Sequence, residues 1–404
     1  MRFMAYVLAA GLAANAAAQE PRDKAVFAPR QDAKLEEVRA DVRKPAEEPA
    51  RNRMWMDFST LDAPKAVSEF ARVWHQPSIC QGFSGMCWCF STTSLLESEV
   101  HRQTKREMRF SVLHSVYWEY VEKARGFVRS RGTSVFGEGS QSAAVLRAWR
   151  THGVVPAEQY TGLKDGAKNY DHEATVYREV KAYLDGVKAA GAWNEESVIA
   201  TVRAILDSHL GAPPASVQVD GRTLTPRQYL EQVVRISPDD YVAFLSVLGK
   251  PYWQRAEYEV PDNWWHDRDY LNVPLDSFMA AFKDAVHKGY SVVIAADMSE
   301  PGYSIGAPGM AVVPSWDIPA SHIDENARHF RFATGVTTDD HALHVVGWVQ
   351  RNGKDWYLVK DSWSSAWNND HAGYYFFHED YVKLKVLSFT VHKDAVPQVL
   401  ARFK

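Results

Sequence analysis

The stretch from residue 341 to 363, HALHVVGWVQRNGKDWYLVKDSW, constrains the fold more than any other part of this 404-residue chain. Two runs rich in β-branched and aromatic residues flank Arg351-Asn352-Gly353-Lys354. Asn-Gly between such runs signals a hairpin, because the tight turn that matches strand twist needs positive φ at both central residues. His341 then opens one strand and Asp361 closes the other. Opposite ends of a hairpin lie side by side, so an imidazole and a carboxylate can meet there. His344 is the rival histidine, but three residues on it faces the other side of a regular strand. His371, in NNDHAGYYFF, belongs to a loop after the hairpin.

The second informative stretch is QGFSGMCWCFS, residues 81–91. Cys80, Cys87 and Cys89 are the chain's three cysteines, an odd number packed into ten residues. They are too local to staple a fold, and no second cysteine pair or spaced histidines complete a metal site, so no metal is expected. After Cys87 the run WCFSTTSLLESEVHR reads as an amphipathic helix with Cys87 near its first turn. Free amides and positive dipole charge at a helix start stabilise a thiolate. Two glycines in QGFSG allow a tight turn there, and Gln81 can add a side-chain NH2 to an oxyanion site. Cys89, two positions on, faces the core as a small hydrophobe, and Cys80 is structural. A thiol nucleophile needs a base held by a third polar group. Cys87, His341 and Asp361 supply that set from distant parts of the sequence.

A net charge of −4 and a pI near 6.4 give no basic field for nucleic acid. The start, MRFMAYVLAAGLAANAAAQEP, has one early arginine, an apolar run and a small-residue end, the pattern of a signal peptide cleaved near Ala18. The run is about 15 residues, shorter than the ~20 of a spanning helix, so no stable membrane association is expected. A secreted or periplasmic location follows. Residues 19–54 read as a charged linker, with 9 basic and 8 acidic residues and four prolines between 20 and 54, and one short helix at AKLEEVRADVRK. The globular domain then runs from Trp55 to Lys404.

These segments resemble papain-like cysteine peptidases. QGFSGMCWCFS is similar to their nucleophile segment, DDHALHVVGW to their histidine strand, and YLVKDSWSSAW to their Asn-Ser-Trp strand. Ser84 before Gly85, the helix SVLHSVYWEYVEKAR and the segment GEGSQSAAVLRAWRTHGVVPAEQY resemble the bleomycin hydrolase and aminopeptidase C branch. The likeness implies an α+β, two-lobed fold: a helical lobe, a β-barrel-like lobe and a helical insertion at about 165–270. It implies Cys87 as nucleophile, His341 as general acid/base, Gln81 as oxyanion donor and Asp361 in the place of the orienting Asn. Trp363 would shield that polar pair. Gly139 and Ser140 would line the substrate strip beside the cleft. Peptides or proteins would be the substrates, no cofactor is implied, and a homo-oligomer, hexameric in that branch, is possible.

Four departures bear on function. Asp361 replaces Asn, which is compatible with activity because a carboxylate also holds an imidazole and raises its pKa. Ser140 replaces a second glycine and would narrow the substrate pocket. The ending HKDAVPQVLARFK suggests that the C-terminal arm of the branch is absent or shortened, or that Lys404 ends in the cleft as a stump. That leaves aminopeptidase and endopeptidase modes open. The signal peptide departs from mostly cytosolic relatives, and the roughly 35 residues before Trp55 are too few for a large inhibitory prodomain. The alternatives to a peptidase are a catalytically impaired peptide-binding relative and an acyltransferase using the same triad.

Overall fold

Apolar residues at helical spacing build one half of the protein. The computed structural model describes residues 23, 25–29, 32–42, 52–164, 166–304 and 306–403. The expected signal peptide, residues 1–18, lies outside them. In the helical half, α2 (Cys87–Thr104), α3 (Val112–Arg129) and α4 (Ser142–His152) pack together, following α1 (Ala33–Val42) near the start of the chain. α2 is buried along nearly its whole length, from Trp88 to Val100. A helix buried all round is a core element, not a surface one. Fully burying a large apolar side chain contributes roughly 1.5–3 kcal/mol, and Trp88, Leu95, Leu96 and Val100 all reach that limit.

The expected insertion contributes α5 (Val176–Ala190) and α6 (Glu195–Leu210). Each turns one stripe inward: Val176, Val180, Leu184 and Val187 on α5, and Val198, Val202, Leu206 and Leu210 on α6. These residues join the same core as α2–α4. The insertion ends earlier than the sequence reading placed it. Tyr241–Leu245 and Tyr270–Asn272, which were to lie within it, are strands of the main sheet. Phe244 and Leu245 are fully buried and Tyr241 nearly so, and the aromatic composition there reflects sheet packing.

The other half is a twisted, mostly antiparallel sheet. Its central strands run in the order Tyr374–His378, Lys354–Lys360, His341–Arg351, Val292–Ala296, Val386–His392 and Tyr241–Leu245. The hairpin forms as the sequence implies: Arg351 pairs with Lys354, leaving the two-residue turn Asn352-Gly353 with φ of 52° and 74°. A helix, Leu275–His287, covers one face, and Phe278, Phe282 and Phe389 fill the space between. α2 lies against the histidine strand, which brings Cys87 to the seam between the halves.

The charged stretch before Trp55 is not a free tether where it is described. α1 stands where the sequence reading placed a short helix, and its Val38 is fully buried. Asp32 at its start accepts hydrogen bonds from the Ser364 hydroxyl and the Asn368 amide, both 2.8 Å. Ala25–Pro29 pairs with Asn52–Met56, and the Met56 amide donates to the Pro301 carbonyl at 2.9 Å. Among the described residues, no helix is long and apolar enough to cross a membrane.

Candidate active site

Cys87 is the first residue of α2, and its backbone N–H has no acceptor among the described residues. The turn before it is built on close backbone approach. Gly82 has φ +61°, and a Cβ there would lie 2.3 Å from the Tyr170 carbonyl oxygen. A Cβ on Gly85 would lie 2.7 Å from Cβ of Glu138. Trp88, next to the thiol, donates its indole N–H to the Glu138 carbonyl at 3.1 Å, fixing the helix start against the 138–140 strip. Cys89 is fully buried, and burial pushes its thiol far up, so it is a core residue as its helical position implies. Cys80 is half-buried, its thiol also raised chiefly by burial, and all three cysteines are unbridged.

The sheet half supplies an imidazole and a carboxylate. His341 opens its strand and Asp361 follows the last residue of the partner strand, Lys360. The His341 Nε2 to Asp361 Oδ1 distance is 2.6 Å, and the same oxygen accepts the Trp363 amide at 2.9 Å. Cys87 lies close enough to the His341 side chain to help raise its pKa, and both line the same cavities. Burial, the largest influence, opposes charge on this ring. Asp361 and Cys87 together outweigh it, and the His341 pKa is raised well above its ordinary value. The Trp363 ring stands edge-on to His341 at 6.3 Å and 78°.

Gln81 joins the two halves. Its backbone N–H donates to the Ser362 carbonyl at 2.8 Å, and its side-chain oxygen accepts the Ser362 hydroxyl at 2.6 Å. Its side-chain nitrogen donates one hydrogen to the Ser84 carbonyl at 2.6 Å. These partners set the amide's orientation and leave its second N–H without an acceptor among the described residues. Gln81, Cys87, His341 and Trp363 line one cavity of about 220 Å³, together with Met298 and Tyr303.

Gly139 and Ser140 lie on the opposite flank. A Cβ on Gly139 would sit 2.1 Å from Oδ2 of Asp262, so a larger residue there would have to displace that carboxylate. Ser140 is buried, and its hydroxyl donates to the Glu119 carboxylate at 2.7 Å. The Ser140 hydroxyl is therefore committed to a buried acid instead of being free to contact a ligand. The chain's last described residues do not line either cavity at Cys87. Pro397–Leu400 is a short helix, and Arg402 stacks over the Trp253 ring at 3.3 Å.

The structure thus brings together Cys87, His341, Asp361, Gln81 and Trp363, and places Gly139 and Ser140 on the adjoining wall. His344 points away, into a chamber behind Asp361, and His371 stacks on Phe376 at 4.2 Å in the loop beyond. Sequence reasoning passed over Ser362, Asp340, Asp339 and Asp262. The first two are chain neighbours of Asp361 and His341, which was the available signal. Asp262 had none.

Residues 138–403 match the sequence pattern of the Peptidase C1-like family, about two thirds of the chain. Among solved structures, PepW from Lactobacillus rhamnosis HN001 superposes with a TM-score of 0.66 at 18% identity, covering 82% of this chain and 83% of PepW. A structure described for the mite allergens Blo t 1 and Der p 1 aligns more loosely, with a TM-score of 0.42 and 13% identity over 88% of this chain and 76% of the other. No curated protein sequence matches. With a thiol at a helix start, an imidazole beside it and the family pattern across most of the domain, the chain belongs to the Peptidase C1-like family and is a papain-like cysteine peptidase of α+β fold.

Proposed function

We propose that the protein hydrolyses peptide bonds through a Cys87 thioester, as a bleomycin hydrolase-like enzyme acting outside the cytoplasm. The observation that carries the mechanism is His341 held between Cys87 and Asp361. The raised imidazole pKa favours a thiolate–imidazolium pair at rest. The thiolate adds to the substrate carbonyl carbon, forming the C–S bond. The oxyanion so created faces the Cys87 backbone N–H and the remaining N–H of Gln81. The imidazolium gives its proton to the amine as the C–N bond breaks. Neutral His341 then takes a proton from water, whose oxygen attacks the thioester, and the C–S bond breaks to return the thiolate. Asp361 keeps the ring oriented through both steps, and Trp363 keeps water off that hydrogen bond.

Gly139 and the backbone of Ser140 offer the strip along which the acyl part of the substrate extends. Export rests on the signal-like residues 1–18. Aminopeptidase and endopeptidase modes both fit the cleft, and a homo-oligomer is part of the resemblance to the bleomycin hydrolase branch.

The test is single-turnover labelling with an epoxide probe of cysteine peptidases, read by intact mass. One adduct on Cys87, lost in Cys87→Ser and slowed in His341→Ala, is the expected result. Folded, reduced protein that takes up no label between pH 5 and 8, a window around the free imidazole value of ~6.5, would sink the reading.

A further inference from the structure

Two unpartnered buried atoms meet behind the site. Asp361 spends one carboxylate oxygen twice: Oδ1 holds the His341 ring at 2.6 Å and accepts the Trp363 amide at 2.9 Å. Its Oδ2 has no hydrogen-bond partner among the described residues, although the side chain is fully buried. Nε2 of His344 is unpartnered in the same sense, and that residue is only 1% exposed. Both side chains belong to residues that line the chamber behind Asp361, whereas Asp361 lines neither cavity at Cys87. The chamber measures about 30 Å³. A water needs roughly 10–15 Å³ of such space, so one or two fit.

The protons can be placed from the donors. Lys360 donates to the Ser94 hydroxyl at 2.8 Å, and an ammonium cannot accept in return. Ser94 Oγ has one further partner among the described residues, Nδ1 of His344 at 2.8 Å, so its own hydrogen goes there. Burial first, and then the charges of Lys360 and His75, keep the His344 ring neutral. A neutral imidazole that accepts at Nδ1 carries its proton on Nε2. The chamber therefore holds one orphan donor, Nε2–H of His344, and one orphan acceptor, Oδ2 of Asp361. Buried polar groups are as a rule paired, and ordered water is the usual partner where no side chain reaches.

We propose that His344 is a positioning residue of this peptidase: its Nε2–H donates to water held in the chamber, and that water donates to Oδ2 of Asp361. The inference rests on the peptidase reading of Cys87 and His341 and adds a residue to that site. One water serves both atoms, accepting from nitrogen on a lone pair and giving one O–H to the carboxylate. Asp361 is then held by both oxygens, which stops its plane from turning and fixes the direction of the bond to His341. A donor on Oδ2 also draws off part of the negative charge that His341 feels. The other charged groups facing the chamber are Glu97, Arg109 and Lys360. Glu97 accepts the Phe110 amide at 2.9 Å, Arg109 donates to the Pro77 carbonyl at 2.8 Å, and Glu97 and Lys360 offset each other's charge. Across Asp361 stand Cys80, Tyr303 and Tyr375, whose thiol and hydroxyls burial pushes up. All of these are common to the variants compared below, so a difference between variants reports on position 344.

The experiment has two readouts on the full chain. The first is a high-resolution crystal structure of the wild type. Ordered water within about 3.2 Å of both Oδ2 of Asp361 and Nε2 of His344 is expected. A dry chamber, or water that touches only one of the two atoms, overturns the proposal whatever the variants do. The second readout is the pH dependence of Cys87 labelling by an epoxide probe in wild type, His344→Leu and His344→Gln. Leucine removes the donor, and the glutamine amide restores one. His344→Leu should move the alkaline limb to higher pH by about half a unit, because Asp361 then acts on His341 with its full charge. His344→Gln should return the limb to the wild-type position. No shift in His344→Leu, or equal shifts in both variants, also overturns the proposal, since packing alone would not distinguish the amide from the alkyl chain. Wild-type protein that takes up no label removes the peptidase reading instead, and the role of His344 with it.

Discussion

Two histidines on one strand, three residues apart, meet opposite surroundings. His341 faces the cleft, where Asp361 and Cys87 raise its pKa well above the ordinary value against the pull of burial. His344 faces the chamber behind, where burial first, and then the positive charges of Lys360 and His75, drive its pKa well below. Its Nδ1 is 2.8 Å from the Ser94 hydroxyl, and Lys360 donates to the same hydroxyl at 2.8 Å. Nε2 of His344 has no partner among the described residues. Both rings are buried, so burial does not explain the difference. The partners do: Asp361 and Cys87 outweigh burial at His341, whereas at His344 burial leads and the charge of Lys360 adds to it. Only the first can act as a proton donor to a leaving group near neutral pH.

The largest effect that tests this contrast is loss of the cleft histidine. His341→Ala should lower kcat/KM for a peptide substrate by ~10³-fold or more, since it removes both proton transfers and the thiolate's partner. His344→Leu should keep kcat/KM within about tenfold and cost about 1–2 kcal/mol of stability in urea denaturation. A comparable activity loss in both variants would erase the distinction between cleft and chamber.

The next effect concerns the carboxylate. Asp361 raises the His341 pKa, so the imidazolium persists to higher pH than it would beside a neutral amide. Asp361→Asn should therefore move the alkaline limb of kcat/KM to lower pH while leaving the site assembled. The sign for stability agrees. A group whose folded pKa is raised contributes fully below its unfolded value of ~6.5 and loses that contribution as pH rises through the folded value. The variant should thus lose stability mainly at acidic and neutral pH, as pH-dependent thermal melts would show. An unchanged alkaline limb would mean that Asp361 does not set the charge of His341.

The smallest effect separates the two cysteines of α2. Cys89→Ala should cost about 1 kcal/mol, the scale of a small buried truncation, and leave the labelling rate of Cys87 unchanged. A slowed label would show that the helix start depends on how the second thiol packs.

Much of the site was legible because its parts are local signals. Asn352-Gly353 between β-rich runs implied the hairpin, and the hairpin implied that His341 and Asp361 meet. The apolar spacing after Cys87 implied a helix with the thiol at its start. Cys89 two positions on could only turn inward. Less was legible where side chains choose their partners. Ser140 lines the cavity beside Cys87, and its hydroxyl donates to Glu119, a partner that nothing in the sequence announces. The aromatic stretch after 240 looked like part of an insertion, yet it supplies strands of the sheet.

The sequence by itself determined which residues could do chemistry and which short elements carry them, because turn geometry and helical period act over a few residues. The tertiary structure alone decided charge and company. Asp262 comes from a loop and reaches Gly139 across more than a hundred residues of chain, with no spacing to announce it. Asp340 lines the cavities on both sides of His341, a placement that follows from how the two halves pack and not from its position in the sequence. Whether a buried imidazole is charged or neutral depends on groups such as Asp361, Lys360 and Cys87, and electrostatic energy depends on distance in space, which the order of residues does not contain.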